Sequence, residues 1–241
     1  MGRGGGGAVR AGLLSRRMTG PWQNFIPAAP APLGYHGFYP APMPDGSCLE
    51  LPLRDRGTHA VAGLIVNQAS FTVLRALAAW MTATARKHGA EVVVGLPTLG
   101  QSLAPLVAEG LGHTNWVAPG WSRKTWYDEA LSVSATSSTS PDPRAMWLDP
   151  NLLPRLAGRR VLLVDDVLAS GVSAAAGVAL LATVGVRPVA LSVAMIQGDR
   201  WRPLWAEDIP VSAAFATPLF DPHPAGWLPR PETAPHALCR P

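Results

Sequence analysis

Asp165 and Asp166 are adjacent carboxylates at the end of an apolar run, residues 161–164, and a short Gly/Ser stretch follows them at once. A short apolar run bounded by turn residues has the pattern of a buried strand, so the two acids stand at its tip. The segment Ala169, Ser170, Gly171, Val172, Ser173 then opens a helical stretch at residues 173–184. The first N–H groups of a helix have no partner within it, and the helix dipole favours an anion at that end. Hydroxyls of Ser170 and Ser173 can add hydrogen bonds, each worth about 1.5–3 kcal/mol to a charged acceptor. A phosphate therefore suits the loop, and two acids just before it suit the vicinal hydroxyls of an attached sugar. This chemistry is that of a sugar-phosphate site.

Elements on either side must hold that loop. Residues 60–88 read as one long amphipathic helix closed by Gly89. Residues 91–95 (EVVVG) read as a short buried strand, followed by the turn LPTLG and a helix from about 102 to 110. A second short strand is expected at 115–118, then a polar stretch at 119–144, a strand at 161–164 and a strand at 188–196. Strands alternating with helices imply parallel pairing, right-handed crossovers and ligand sites at the carboxyl ends of the strands. The expected fold is α/β, with a mostly parallel five-stranded sheet flanked by helices. Residues 18–58 and 199–241 are rich in Pro, Gly and aromatics and predict irregular backbone. They are expected to form a small hood over a core at 59–198, all within a single domain at 18–241.

The stretch VLLVDDVLASGVS (161–173) resembles the signature of type I phosphoribosyltransferases that binds 5-phosphoribosyl 1-pyrophosphate (PRPP). The resemblance implies that Asp165 and Asp166 hold the ribose hydroxyls while Ala169, Ser170, Gly171, Val172 and Ser173 cradle the 5-phosphate. Val172 stands where that family usually has a second glycine. Upstream, GLPTLGQSLAPLVAEGLG (95–112) is similar to the pyrophosphate-loop region of adenine phosphoribosyltransferases. Pro97, Thr98, Leu99 and Gly100 would then face the pyrophosphate. The basic residue often found in that loop is missing, and Arg123 and Lys124 are the candidates to supply its charge from a catalytic flap at 119–145. The phrases LPLRDRG, VNQASF and GWSRKTWY are similar to uncharacterised bacterial proteins described only as phosphoribosyltransferases. What the resemblance implies is transfer of ribose 5-phosphate from PRPP to a nucleobase-like acceptor, with pyrophosphate released. Mg²⁺ would come mainly with PRPP, no metal ligand set would be needed, and a homodimer would be typical. The hood would choose the acceptor, with Tyr35, Phe38, Trp201, Trp205 and Trp227 as candidates to stack on its ring. A non-catalytic PRPP or nucleotide sensor is the competing assignment.

Composition narrows the other classes. The formal net charge is +4. Arg3, Arg10, Arg16 and Arg17 account for it, since the other 16 basic residues balance the 16 acidic ones. A basic patch for nucleic acid is therefore not indicated. Residues 1–17 read as a disordered basic extension, with Met18 as an alternative start and a mitochondrial-type presequence as the rival reading. No apolar run is long enough to span a membrane. Cys48 and Cys239 lack metal spacing and fit free thiols in a reducing cytoplasm. A P-loop NTPase is disfavoured because Gln101, not lysine, follows Gly100. His36, His59, His88, His113, His223 and His236 include no pair at helical ligand spacing.

Overall fold

The computed structural model describes residues 20–135, 144–206 and 208–234. The basic extension, the alternative start at Met18, Cys239, His236 and residues 136–143 of the expected flap lie outside them. In chain order the elements are β1 (Phe25–Pro27), β2 (Phe38–Pro42), β3 (Ser47–Asp55), β4 (Ala60–Ala62), α1 (Phe71–Ala85), β5 (Val92–Gly95) and α2 (Ala104–Gly110). They continue with β6 (Ser132–Ala135), β7 (Arg144–Trp147), α3 (Leu153–Leu156), β8 (Val161–Leu168), α4 (Val172–Ala182), β9 (Pro188–Gln197), β10 (Val211–Thr217), β11 (Leu219–His223) and β12 (Gly226–Arg230).

Four strands form a parallel sheet in the order β10-β9-β8-β5. Successive side chains of a strand point to opposite faces, and the apolar run of β8 divides accordingly. Leu162 and Val164 pack with Leu77 and Met81 of α1 and Val107 of α2. Val161 and Leu163 pack on the other face with Ala174, Leu180 and Leu181 of α4. A strand buried on both faces must be apolar throughout, which is why VLLV reads as a continuous run. The second short strand expected at 115–118 is reduced to one residue. Val117 bridges to β5, its N–H donating to Val93 O at 2.9 Å and its O accepting from Gly95 N at 3.0 Å.

The long helix expected at 60–88 is three elements. Ala60–Ala62 is a strand paired with both β3 and β11, Val66–Gln68 is a 3-10 turn, and α1 begins only at Phe71. Ser70 sets that start, its Oγ accepting from Val73 N at 3.2 Å and donating to Gln23 O at 2.6 Å. The apolar face of α1 (Val73, Leu77, Met81, Ala85) is buried, and Gly89 at φ +60° ends the following 3-10 turn.

The two Pro-rich zones are also not irregular. Together they build an antiparallel sheet ordered β1-β3-β4-β11-β12, with β2 also on β3. The hood is thus a sheet of six strands, larger than expected. Pro40 and Pro42 are tolerated because β2 pairs only with β3 and needs no donors on its free side. Tyr35, Tyr39 and Phe220 meet edge to face, with Tyr39 and Phe220 centroids 4.9 Å apart, and tie the two chain regions together. Gln197, at the end of β9, donates to Ala62 O at 2.8 Å and pins the hood to the carboxyl edge of the core sheet. The zone after 198 also supplies β10 to the core sheet itself, so the parallel sheet draws its last strand from beyond the expected core.

Candidate functional site

The strand β8 runs through the acid pair to Leu168, with Asp165 in register with Val193 and Val167 with Met195. The carboxylates therefore sit within the ladder, and the turn comes four residues later than the apolar run alone suggests. Asp165 is 6% exposed, and its Oδ1 accepts from the Asp166 N–H at 2.9 Å. Burial pushes the Asp165 carboxyl well above the ordinary carboxylate range, with the adjacent Asp166 charge as a further cause. Burial also raises Asp166.

The turn after β8 is carried by Gly171, at φ +83°. A Cβ there would lie 3.1 Å from Trp201 O and 3.4 Å from Trp201 Cβ, so both backbone conformation and space favour glycine. Gly171 O accepts from Ala175 N at 2.8 Å and starts α4. Val172 is already the first residue of that helix, so its backbone needs no glycine, and its N–H donates to Ser170 Oγ at 3.5 Å. Ala169 is half-buried, while Ser170 and Ser173 are exposed. Val172→Gly is accordingly expected to lower stability by up to about 1 kcal/mol, which a melting curve measures.

The turn after β5 reaches the same place. Leu96 N donates to Val164 O at 2.8 Å, Pro97 is buried, Thr98 exposed and Leu99 half-buried. The Pro97–Thr98 peptide is cis. Gly100 is seated directly on the acid pair's strand: a Cβ at Gly100 would lie 2.8 Å from Asp165 Cα and from Val164 O. Gln101, where a P-loop needs lysine, donates to Pro119 O and, at 3.4 Å, to Gly95 O. Its amide fastens the turn to the base of the flap.

Arg123 and Lys124 are not brought to the acids. Arg123 donates to Glu129 Oε1 at 2.7 Å and stacks over Trp147 at 5.3 Å, and Lys124 is exposed. Among the described residues neither forms a hydrogen bond or ion pair with Asp165, Asp166 or the turn at 97–100. The flap's base is structural, since β6 and β7 pair and Leu131, Met146 and Leu148 enter the core.

A cavity of about 580 Å³ opens beside Asp166 and Val167, under the hood. Leu53, Val61, Leu64 and Ile65 give it apolar walls, and Arg54, Asp55, Arg56 and Gln197 are its other polar members. None of the five aromatic residues expected to stack on a ring lines it. Trp201 and Trp205 are core residues whose indoles donate to Gly198 O at 3.2 Å and Ile209 O at 2.7 Å. Trp227 pairs with Tyr35 in the hood, Phe38 stays on its surface, and Trp22 is the aromatic at the cavity. The sequence signal for this wall was LPLRDRG, legible as a phrase but not as a pocket.

An α/β protein with both phosphate-type turns and an acid pair gathered at one sheet edge is thereby defined. Residues 64–212 match the family model described as the phosphoribosyl transferase domain. The chain belongs to this family. It is 35% identical over 121 residues to the adenine phosphoribosyltransferase of Frankia alni, covering 46% of this chain and 56% of that protein. To the adenine phosphoribosyltransferase of Kineococcus radiotolerans it is 37% identical over 122 residues, 51% and 60% of the two chains. The match thus spans less than two thirds of either relative. Among solved structures, adenine phosphoribosyltransferase from Rhodothermus marinus superposes with a TM-score of 0.50 at 19% identity over 61% of this chain and 81% of that one. The Giardia lamblia enzyme complexed with 9-deazaadenine gives 0.51 at 20% identity, over 63% and 82%. At these identities the likeness is one of fold. Among the described residues no helix is long and apolar enough to cross a membrane.

Proposed function

We propose that this protein is a phosphoribosyltransferase: a nucleobase-like acceptor displaces pyrophosphate from C1 of Mg²⁺-bound PRPP and receives ribose 5-phosphate. The observation that carries this is the seating of Gly100 on Asp165, which puts the turn after β5 and the acid pair of β8 side by side. In this reading Asp165 and Asp166 accept hydrogen bonds from the ribose 2- and 3-hydroxyls. Ala169 to Ser173 hold the 5-phosphate on backbone N–H groups at the start of α4, aided by the two serine hydroxyls. Backbone at Pro97, Thr98, Leu99 and Gly100 faces the pyrophosphate. Arg123 and Lys124 come to it when the flap closes, and Arg123 then exchanges Glu129 for the leaving group.

Positive charge grows at C1 as the bond to pyrophosphate lengthens, so the carboxylate field and exclusion of water lower the barrier. Mg²⁺ enters as part of the PRPP substrate, bound by its phosphate and hydroxyl oxygens. Relatives named adenine phosphoribosyltransferase put adenine on the panel of acceptors to try. A cytoplasmic, homodimeric enzyme of nucleotide metabolism is the setting this reading implies.

A PRPP or nucleotide sensor is the second reading, favoured by one observation: the turn at 97–100 carries no cation and Arg123 is engaged elsewhere. Measuring Mg²⁺-dependent PRPP binding and pyrophosphate release separately, over a panel of bases, separates the two. Release with at least one base is expected. Binding without release on any base makes the protein a sensor, and absence of binding removes both readings.

A further inference from the structure

We propose that Arg54 and Arg56 make the hood cavity a site for a carboxylated acceptor, so that the incoming ring bears an acidic group and is not a neutral base. The inference rests on the phosphoribosyl-transfer reading and adds the acceptor's class to it. The cavity, about 580 Å³, has the size of a small-molecule site. Its apolar walls suit a flat ring, but two guanidinium groups line the same space.

Arg123, Arg159, Arg160, Arg187 and Arg230 pair with an acid among the described residues, whereas the exposed Arg54 and Arg56 are among the arginines that do not. Among the described residues no hydrogen bond or ion pair engages the side chain of Arg54 or Arg56, although Asp55 lies between them in the chain. Asp55 is turned to the hairpin instead, its Oδ1 accepting from Gly57 N at 2.7 Å. The remaining acid of the cavity, Asp166, is assigned to the ribose hydroxyls in the phosphoribosyl-transfer reading. Gln197 spends an amide donor on Ala62 O.

Near the rim, His59 is held below its ordinary value by burial first and then by Arg200, Arg230 and Arg56, with Asp221 acting the other way. A planar guanidinium matches a carboxylate in geometry as well as charge, and two of them in the lining of a cavity with apolar walls favour a flat acid. In the transfer reading the 5-phosphate and pyrophosphate have their own backbone donors, at the start of α4 and at Thr98–Gly100. The hood arginines are therefore left for the acceptor.

The test uses the full chain with Mg²⁺ and PRPP, and matched probes that differ by the carboxylate: orotate against uracil, nicotinate against nicotinamide, with adenine alongside. Pyrophosphate release is expected to favour a carboxylated probe over its neutral partner by about tenfold or more, the worth of one charge-assisted hydrogen bond. The double variant Arg54→Gln, Arg56→Gln should erase that preference and leave PRPP affinity and melting temperature unchanged. Equal or better use of the neutral probes overturns the proposal. So does a loss of PRPP affinity in the variant with the preference intact, because the arginines then grip pyrophosphate. If the wild type fails to bind PRPP, the transfer reading falls by itself. Direct calorimetric binding of orotate and nicotinate to wild type and variant then decides on the anion subsite, and no difference between them overturns it.

Discussion

Replacing both acids, Asp165→Asn with Asp166→Asn, is expected to remove PRPP binding while making the protein more stable above neutral pH. Each ribose hydroxyl bound to a carboxylate contributes about 1.5–3 kcal/mol, so losing two of them costs about 3–6 kcal/mol, or at least a hundredfold in affinity. The stability change has the opposite sign. Asp165 is buried and its carboxyl is raised, so the unfolded chain gives up its proton at a lower pH than the folded chain does. A group raised in the folded state stabilises fully below its unfolded value, and that stability is lost as pH climbs through the folded value. Ionising Asp165 in place at high pH therefore strains the wild type, and two amides remove the strain. Melting curves from pH 5 to 8.5 should fall more steeply for wild type than for the variant. Unchanged PRPP affinity in the variant would show that the ribose lies elsewhere.

Gly100→Ala is the second large effect, and here stability and function fail together. The added methyl would meet backbone, not a flexible side-chain end: Asp165 Cα and Val164 O, each at 2.8 Å. Backbone of a central strand cannot yield, so the turn must lift. Overpacking of this kind costs about 1–3 kcal/mol. A displacement of the turn by even a fraction of an ångström parts its amides from the pyrophosphate, and misplacement on the scale of 1 Å can cost about a hundredfold in rate. A lower melting point with at least a tenfold loss of turnover is expected. Full activity in a folded Gly100→Ala variant would detach the turn from the site.

The central strand, its acids and the helix after them were legible because each depends on local signals. Residues 161–164 are apolar on both faces, the turn needs Gly171, and α4 starts one residue before the expected position. The hood was not legible, because its strands are specified by partners far away in the chain. Prolines in β2, β3, β11 and β12 break the alternation that marks a strand, and pairing such as Phe220 with Ala60 leaves no trace in a local window. The same cause hid β4. Ala60, Val61 and Ala62 prolong the apolar periodicity of α1, and only Gly63 and the Ser70 cap mark the break. In β10, VSAAFAT carries little β-branched residue content, so its strand character comes from lying beside β9. The acceptor cavity inherits that opacity, since Arg54 and Arg56 meet Asp166 only once those distant pairings are made.

The sheet made from both ends of the chain also orders events during synthesis. Strands β5, β8 and β9 and their crossover helices are complete once Gln197 has emerged, and their parallel pairing can proceed from there. One edge of β4 pairs with β3, but the other must wait for β11, which is among the last described segments to leave the ribosome. The sheet edge that carries the turns after β5 and β8 is thus assembled first and the outer strands of the hood last. A nascent chain stalled before Leu219 would hold those turns beside a β4 edge still unpaired.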